Sequence, residues 1–238
     1  MKGHWRLVFT CVALSLAACE RRAPAPDLLA TGTRLYSQHD EELLIRQFFH
    51  DERDGVFLDV GCWDWREGST TLYLEERLGW SGLAVDAQDQ VRRGYEQHRP
   101  RTRFFNYIVS DRSDEVGQLY VADQISSVHA DHVEQFGAQW YQEAPIEVPT
   151  ITLDDLLARN GVARLDLLSM DIEGAEPNAL AGFDIERYRP RLVVIEVAEQ
   201  TAPALLDYFA RHHYRRLDEY LARDAVNWYF APESPAAR

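Results

Sequence analysis

The feature that most limits how this chain can fold is a pair of short apolar runs that each end in an acid. Val56-Phe57-Leu58-Asp59-Val60 leads straight into Gly61, and Gly82-Leu83-Ala84-Val85 ends in Asp86, 27 residues after Asp59. Between them Thr70 to Leu78 reads as a helix closed by Gly79, a residue that takes the left-handed conformation of a helix C-cap at little cost. Strand, turn, helix and strand within about thirty residues make a βαβ unit.

The alternation continues. Val91 to His98 reads as a helix, Phe104 to Val109 as a third strand and Gln118 to Val121 as a short extra one. Thr152-Leu153-Asp154-Asp155 predicts a helix start with a Thr cap and an acid three positions on, and Gly161 ends that helix. Leu165 to Met170 and Leu192 to Val197 are two more apolar strands, with a helix near Ala175 to Ala181 between them. Leu43, Leu44, Phe48 and Phe49 recur at helical spacing within Leu35 to Asp51. Such alternation predicts an α/β fold with a mostly parallel sheet covered on both faces. The C-terminus departs from it: Tyr214 to Leu221, the turn Ala222-Arg223-Asp224, and Val226 to Phe230 read as an antiparallel hairpin. Asp123 to Ala144 has no clean period, and its His129, His132, Phe136, Trp140 and Tyr141 suggest a substrate-side insertion.

The 238 residues suffice for one good core and are too few for two comfortable domains. Lys2 and Arg6 precede an apolar run from Leu7 to Ala18, the length of a signal-peptide core and too short to span a bilayer. Its end, Leu16-Ala17-Ala18-Cys19, resembles the lipobox of bacterial lipoproteins, in which the cysteine becomes a lipidated N-terminus. The expected organisation is a signal peptide over 1–19, a Pro- and Ala-rich tether over 20–34 and one domain over 35–238. Cys19 would then anchor the protein in the cell envelope; a plain secretory signal, or a start codon set too early and a cytoplasmic protein, are the alternatives. A net charge of -14 with no basic cluster argues against a nucleic-acid partner.

In open α/β sheets ligands bind outside the carboxyl ends of the strands. Asp59, Asp86, Ser110, Asp111, Asp171 and Glu196 all fall at or beside predicted strand ends, so that edge is acidic and suits a cationic ligand. Gly61 is expected where the backbone turns sharply and comes close to the ligand. S-adenosylmethionine, with a sulfonium and an ammonium but no phosphate, fits such an edge, with Asp86 accepting from the ribose hydroxyls. Asp171 and Glu196 with His129 or His132 could form an oxygen and nitrogen metal site, but no spacing enforces it and no metal is expected. Cys62 reads as a small residue in the turn rather than a nucleophile. Glu196 has no evident partner, and an arginine is one candidate.

Three blocks carry a specific resemblance. Val56 through Asp64, Gly68-Ser69 and Leu78-Gly79-Trp80-Ser81-Gly82 form the first. Val148-Pro149-Thr150-Ile151-Thr152-Leu153-Asp154-Asp155-Leu156-Leu157 and Asp166 through Asp171-Ile172-Glu173-Gly174-Ala175-Glu176 form the second, and Tyr188-Arg189-Pro190 into Ile195-Glu196 the third. In this order and spacing they resemble the FkbM family of methyltransferases. The resemblance implies a Rossmann-like class I methyltransferase fold ending in the antiparallel hairpin, with S-adenosyl-L-methionine as cofactor. It implies O-methylation of a hydroxyl on a sugar or another secondary metabolite, a small-molecule or glycan acceptor. Asp59, Gly61, Asp64, Ser69, Asp86, Ser110 and Asp111 are then the expected cofactor-side residues, and Asp171 or Glu173 the general base.

One position departs: many family members have glycine where this chain has Trp65, which could stack on the adenine, fold outward or obstruct the site. With the signal-like N-terminus, Trp65 motivates the alternative of an exported binding protein that keeps the fold without the chemistry. A nucleotide-dependent oxidoreductase is disfavoured because the loop lacks Gly-x-Gly-x-x-Gly.

Overall fold

The structure, a computed structural model, describes residues 28–122, 125–130, 139, 141 and 144–233. The expected signal segment with Cys19, tether residues 20–27, His132, Phe136 and Trp140 lie outside the described residues. The last part of the expected tether carries a helical turn, α1 (Leu28–Thr31), with Leu28 buried. Its Leu28 N–H donates to Gln47 Oε1 at 3.1 Å, on α2 (Glu41–Phe49). Among the described residues no helix is long and apolar enough to cross a membrane.

The main sheet takes seven strands. They are β1 (Val56–Val60), β2 (Ser81–Asp86), β3 (Thr102–Asn106), β7 (Leu167–Met170), β8 (Leu192–Glu196), β9 (Tyr214–Arg216) and β10 (Asn227–Pro232). Their order is β3-β2-β1-β7-β8-β10-β9. The first five are parallel, in the registers Leu58↔Leu83, Leu58↔Leu168 and Leu168↔Val193, while β10 runs antiparallel to both β8 and β9. This is the class I methyltransferase arrangement, with the expected C-terminal antiparallel pair. The ribbon is shorter than Tyr214 to Leu221 suggests, because Asp218–Tyr220 forms a 3-10 turn. Buried Asp224 organises the return: it accepts from the Val226 and Asn227 N–H groups at 3.0 and 2.9 Å and from the Tyr229 hydroxyl at 2.7 Å.

The central strands are buried on both faces, and the pleat sends alternate residues to opposite cores. Leu58, Val60, Leu168, Met170, Val193 and Ile195 face one core; Phe57, Leu167, Leu192 and Val194 face the other. Each such side chain contributes roughly 1.5–3 kcal/mol by leaving water, so this register fixes where the strand ends lie. The covering helices include α3 (Leu72–Leu78), closed by Gly79 at φ 75°, α4 (Arg92–His98), α5 (Leu153–Arg159) and α6 (Glu176–Ala181). Thr152 Oγ1 accepts the Asp155 N–H at 3.1 Å, as expected for the cap, a contact worth about 1 kcal/mol.

Phe104 to Val109, expected as one strand, is two. β3 stops at Asn106, whose side-chain amide donates to the carbonyls of Asp86 and Ala87 at 3.0 and 2.8 Å, and the chain turns away at Tyr107. β4 (Ile108–Val109) then enters a second, three-stranded sheet in the order β4-β6-β5, with β5 (Val116–Leu119) and β6 (Ile146–Ile151). β6 escaped the periodicity because Pro149 interrupts it, on the residue opposite Val116.

Candidate active site

The carboxyl ends of β1, β2, β7 and β8 meet along one edge. Gly61 sits there at φ 75°, and a Cβ on it would overlap the carbonyl oxygen of Asp171. The positive φ is the sharp turn expected of this glycine, and the approach of the β7 end is a second reason that no side chain fits here. Beyond it Trp63, at φ 40°, donates its N–H to Asp86 Oδ2 at 2.9 Å, and the Gln88 N–H donates to Asp86 Oδ1 at 2.8 Å. Burial pushes the Asp86 carboxyl up to about 6 against these two amides, with Asp59 and Asp171 adding to the rise.

Asp59 is also buried and held above the usual carboxylate range by burial. Thr71 Oγ1 donates to its Oδ2 at 2.7 Å, and the fully enclosed Arg99 donates to Thr71 Oγ1 at 3.0 Å. The same guanidinium pairs with Glu75 at 2.6 Å and donates to the Trp65 carbonyl at 3.1 Å and to Ser69 Oγ at 3.2 Å. Ser69, expected at the cofactor, is thus part of this buried frame and also accepts the Leu72 N–H at 3.2 Å ahead of α3. Asp64 is likewise turned to its own loop, accepting the Arg66 and Glu67 N–H groups at 2.8 and 2.7 Å. Trp65 folds outward, stacked on His98 at 4.1 Å between ring centroids, against Gly94 on α4. Cys62 is buried, and burial pushes its thiol well up, so no thiolate nucleophile forms.

Two adjoining cavities open at this edge. A narrow, mostly apolar slot of about 70 Å³ runs past Val85, Asp86, Tyr107, Ile108 and Val128. A wider polar cavity of about 440 Å³ is bounded by Tyr36, His39, Asp59, Glu196 and Asn227 among others. Val60, Gly61, Trp63, Asp171 and Glu173 line both. Ser110 and Asp111 line neither: because β3 ends four residues before Ser110, Tyr107 and Ile108 take the position expected for them. Ser110 Oγ instead accepts from the Asn178 side chain at 3.0 Å. Of the seven residues expected on the cofactor side, the structure brings Asp59, Gly61 and Asp86 to the cavities and places Asp64, Ser69, Ser110 and Asp111 elsewhere.

The expected base residues lie in the turn after β7. Glu176 shapes it, accepting the Ile172 and Gly174 N–H groups on Oε1 at 3.0 and 3.2 Å, while Glu173 and Gly174 take φ 54° and 93°. Carboxylate oxygens of Asp171, Glu173 and Glu196 lie within 4.8 Å of one another. Asp171 and Glu196 stand side by side at the ends of β7 and β8, and no arginine ion-pairs with Glu196 among the described residues. Burial raises all three carboxyls; repulsion from Asp171 adds to the rise at Glu173, which reaches about 8, and at Glu196, while burial pushes Glu176 to about 7. If this edge held a cation, its ligands among the described residues would be these three carboxylates, without His129; His132 lies outside the described residues. Sequence reasoning missed Tyr36, His39, Trp63, Tyr107 and Arg99; for Arg99 the burial of a lone arginine after α4 left no readable signal. Glu176 was legible in principle, as an acid in the first turn of a helix.

The slot suits an adenosyl group, with apolar walls for the base and Asp86 at hand for hydroxyls, and the acids beyond suit a sulfonium and an ammonium. The chain is 27% identical over 162 residues to the 2-O-methyltransferase NoeI of Sinorhizobium fredii, an alignment covering 63% of this chain and 66% of that relative. The chain thus spans just under two thirds of the length of the curated relative it matches. A TehB-like SAM-dependent methyltransferase from Corynebacterium glutamicum aligns over 87% of this chain and 92% of its own, at 16% identity and TM-score 0.48. A precorrin-6y C5,15-methyltransferase from Geobacter metallireducens aligns over 86% and 93%, at 12% identity and TM-score 0.45. The methyltransferase FkbM domain matches residues 52–216, most of the described chain, and with it comes S-adenosyl-L-methionine as the implied cofactor. The chain belongs to the FkbM family of methyltransferases.

Proposed function

We propose that the protein transfers a methyl group from S-adenosyl-L-methionine to a hydroxyl of a sugar or a related small molecule. The observation that carries this reading is the wall that the two cavities share at Gly61, Trp63, Asp171 and Glu173, beside which a donor in one space would lie close to an acceptor in the other. The oxygen and sugar parts draw support from the similarity to a protein named as a 2-O-methyltransferase.

When bound, S-adenosyl-L-methionine supplies an electrophilic methyl group on a positive sulfur. The chain's part is to align the acceptor for in-line displacement and to take its proton. Asp86, braced by the Trp63 N–H, would hold the ribose hydroxyls, and Asp59, fixed by Thr71 and through it Arg99, would take the ammonium. Asp171 and Glu196 lie side by side, both raised by burial, so whichever of them is ionised accepts the hydroxyl proton. Trp65 gives no support to the non-catalytic reading, since it lines neither cavity.

Titration calorimetry of the full chain with S-adenosylmethionine tests the reading; absence of binding at high micromolar ligand would end it. Asp171→Asn should then lower kcat while leaving donor affinity within a few-fold. Attachment of lipid at Cys19 is proposed on the sequence pattern alone. Cells expressing the full chain and given a palmitate analogue should label the wild type and not Cys19→Ser.

A further inference from the structure

The wider cavity is lined by six acidic side chains, Glu41, Asp59, Glu67, Asp171, Glu173 and Glu196, and by no arginine or lysine among the described residues. The sequence extends the same bias. From Ser113 to Ala158, a stretch that includes the rim residue Ile125 and the whole substrate-side insertion, there is no arginine or lysine, while Asp123, Asp131, Glu134 and Glu143 fall within that insertion. The other polar groups at the cavity are of the kind that recognise hydroxyls: Tyr36, Ser37, His39 and Asn227.

Phosphates are held in proteins by guanidinium and ammonium groups or by helix N-termini, and a diphosphate brings more negative charge than a few neutral donors can offset. S-adenosylmethionine adds two positive groups and one carboxylate, one net positive charge against six acidic side chains. Burial, and then the charges of Asp171 and Glu176, push Glu173 up to about 8, and a further anion beside it would raise the cost again.

We propose that the acceptor presents its hydroxyl on a unit free of phosphate and carboxylate, a free or glycosidically linked sugar rather than a nucleotide-activated one. This rests on the methyltransferase reading above and narrows its substrate class. It also sets an order of events: where the sugar is delivered by a nucleotide-dependent glycosyl transfer, methylation follows that transfer.

The full chain, saturated with S-adenosylhomocysteine, is titrated at fixed ionic strength with inorganic pyrophosphate and with uridine diphosphate. In parallel, radiolabelled methyl donor is offered with matched pairs of methyl glycosides and uridine diphosphate sugars. Neither anion should bind, and any label should enter the glycoside member of a pair only. Saturable binding of either anion to the wild type, or label in the nucleotide member, would overturn the proposal. Glu67→Arg, at the rim, should gain measurable pyrophosphate binding; an unchanged variant would show that charge is not what excludes the anion and would equally overturn it. Failure of S-adenosylhomocysteine itself to bind would sink the methyltransferase reading instead, and is read before any anion is added.

Discussion

The loop after β1 and the turn after β7 both gather acids at the same sheet edge, yet they treat them in opposite ways. Around the loop after β1 three carboxylates have their answer within the protein: Asp59 from Thr71 and through it Arg99, Asp86 at the end of β2 from two backbone N–H groups, Asp64 from two more. After β7, Asp171, Glu173 and Glu196 answer one another. The first region is a finished scaffold, rigid before any ligand arrives. The second keeps charge in reserve, which is the condition a proton acceptor needs.

The contrast breaks most severely at Arg99. Arg99→Met leaves Glu75 enclosed without its partner and removes a donor from Thr71, and should cost about 3–5 kcal/mol of stability in urea unfolding. The double variant with Glu75→Gln should recover part of that loss. Gly61→Ala, forced to a positive φ against the Asp171 carbonyl, should cost at least about 1–3 kcal/mol and abolish S-adenosylhomocysteine binding in calorimetry.

On the β7 side the sign reverses. Carboxyls raised in the folded state hold protons that the unfolded chain has already released, so stability present near pH 4.5 falls as pH rises through about 8, the value for Glu173. Glu173→Gln should therefore stabilise the ligand-free protein at pH 9 by about 1–2 kcal/mol, discounted for its partial exposure, and flatten the decline. A variant that destabilised at pH 9 would mean the turn is compensated after all. Smallest is Trp65→Ala, which loses its stacking on His98, about 0.5–1.5 kcal/mol, and should leave S-adenosylhomocysteine affinity within about twofold.

The same contrast explains what could be read from sequence. β1, β2 and the terminal hairpin were legible because apolar runs ending in Asp59 and Asp86, and a turn at Asp224, are local patterns. Asp171 and Glu173 were legible as residues of a strand-to-helix turn. Ser110 and Asp111 were misplaced by a single side chain, since Asn106 ties β3 to the end of β2 and displaces everything after it. Asp64 and Ser69 carry the right chemistry in the right loop, but backbone and guanidinium groups already occupy them. Tyr36 and His39 come from ahead of the βαβ unit, where no periodicity connects them to the strand ends they cover.

That coverage includes one contact between distant parts of the chain. The Asn227 side chain at the start of β10 donates to Glu41 Oε1 at 3.2 Å, joining α2 to the last strand of the sheet. The wall that carries Tyr36 and His39 is latched by a residue 186 positions further along the chain. A chain cut ahead of β10 would keep the donor loop and lose that latch on the acceptor chamber.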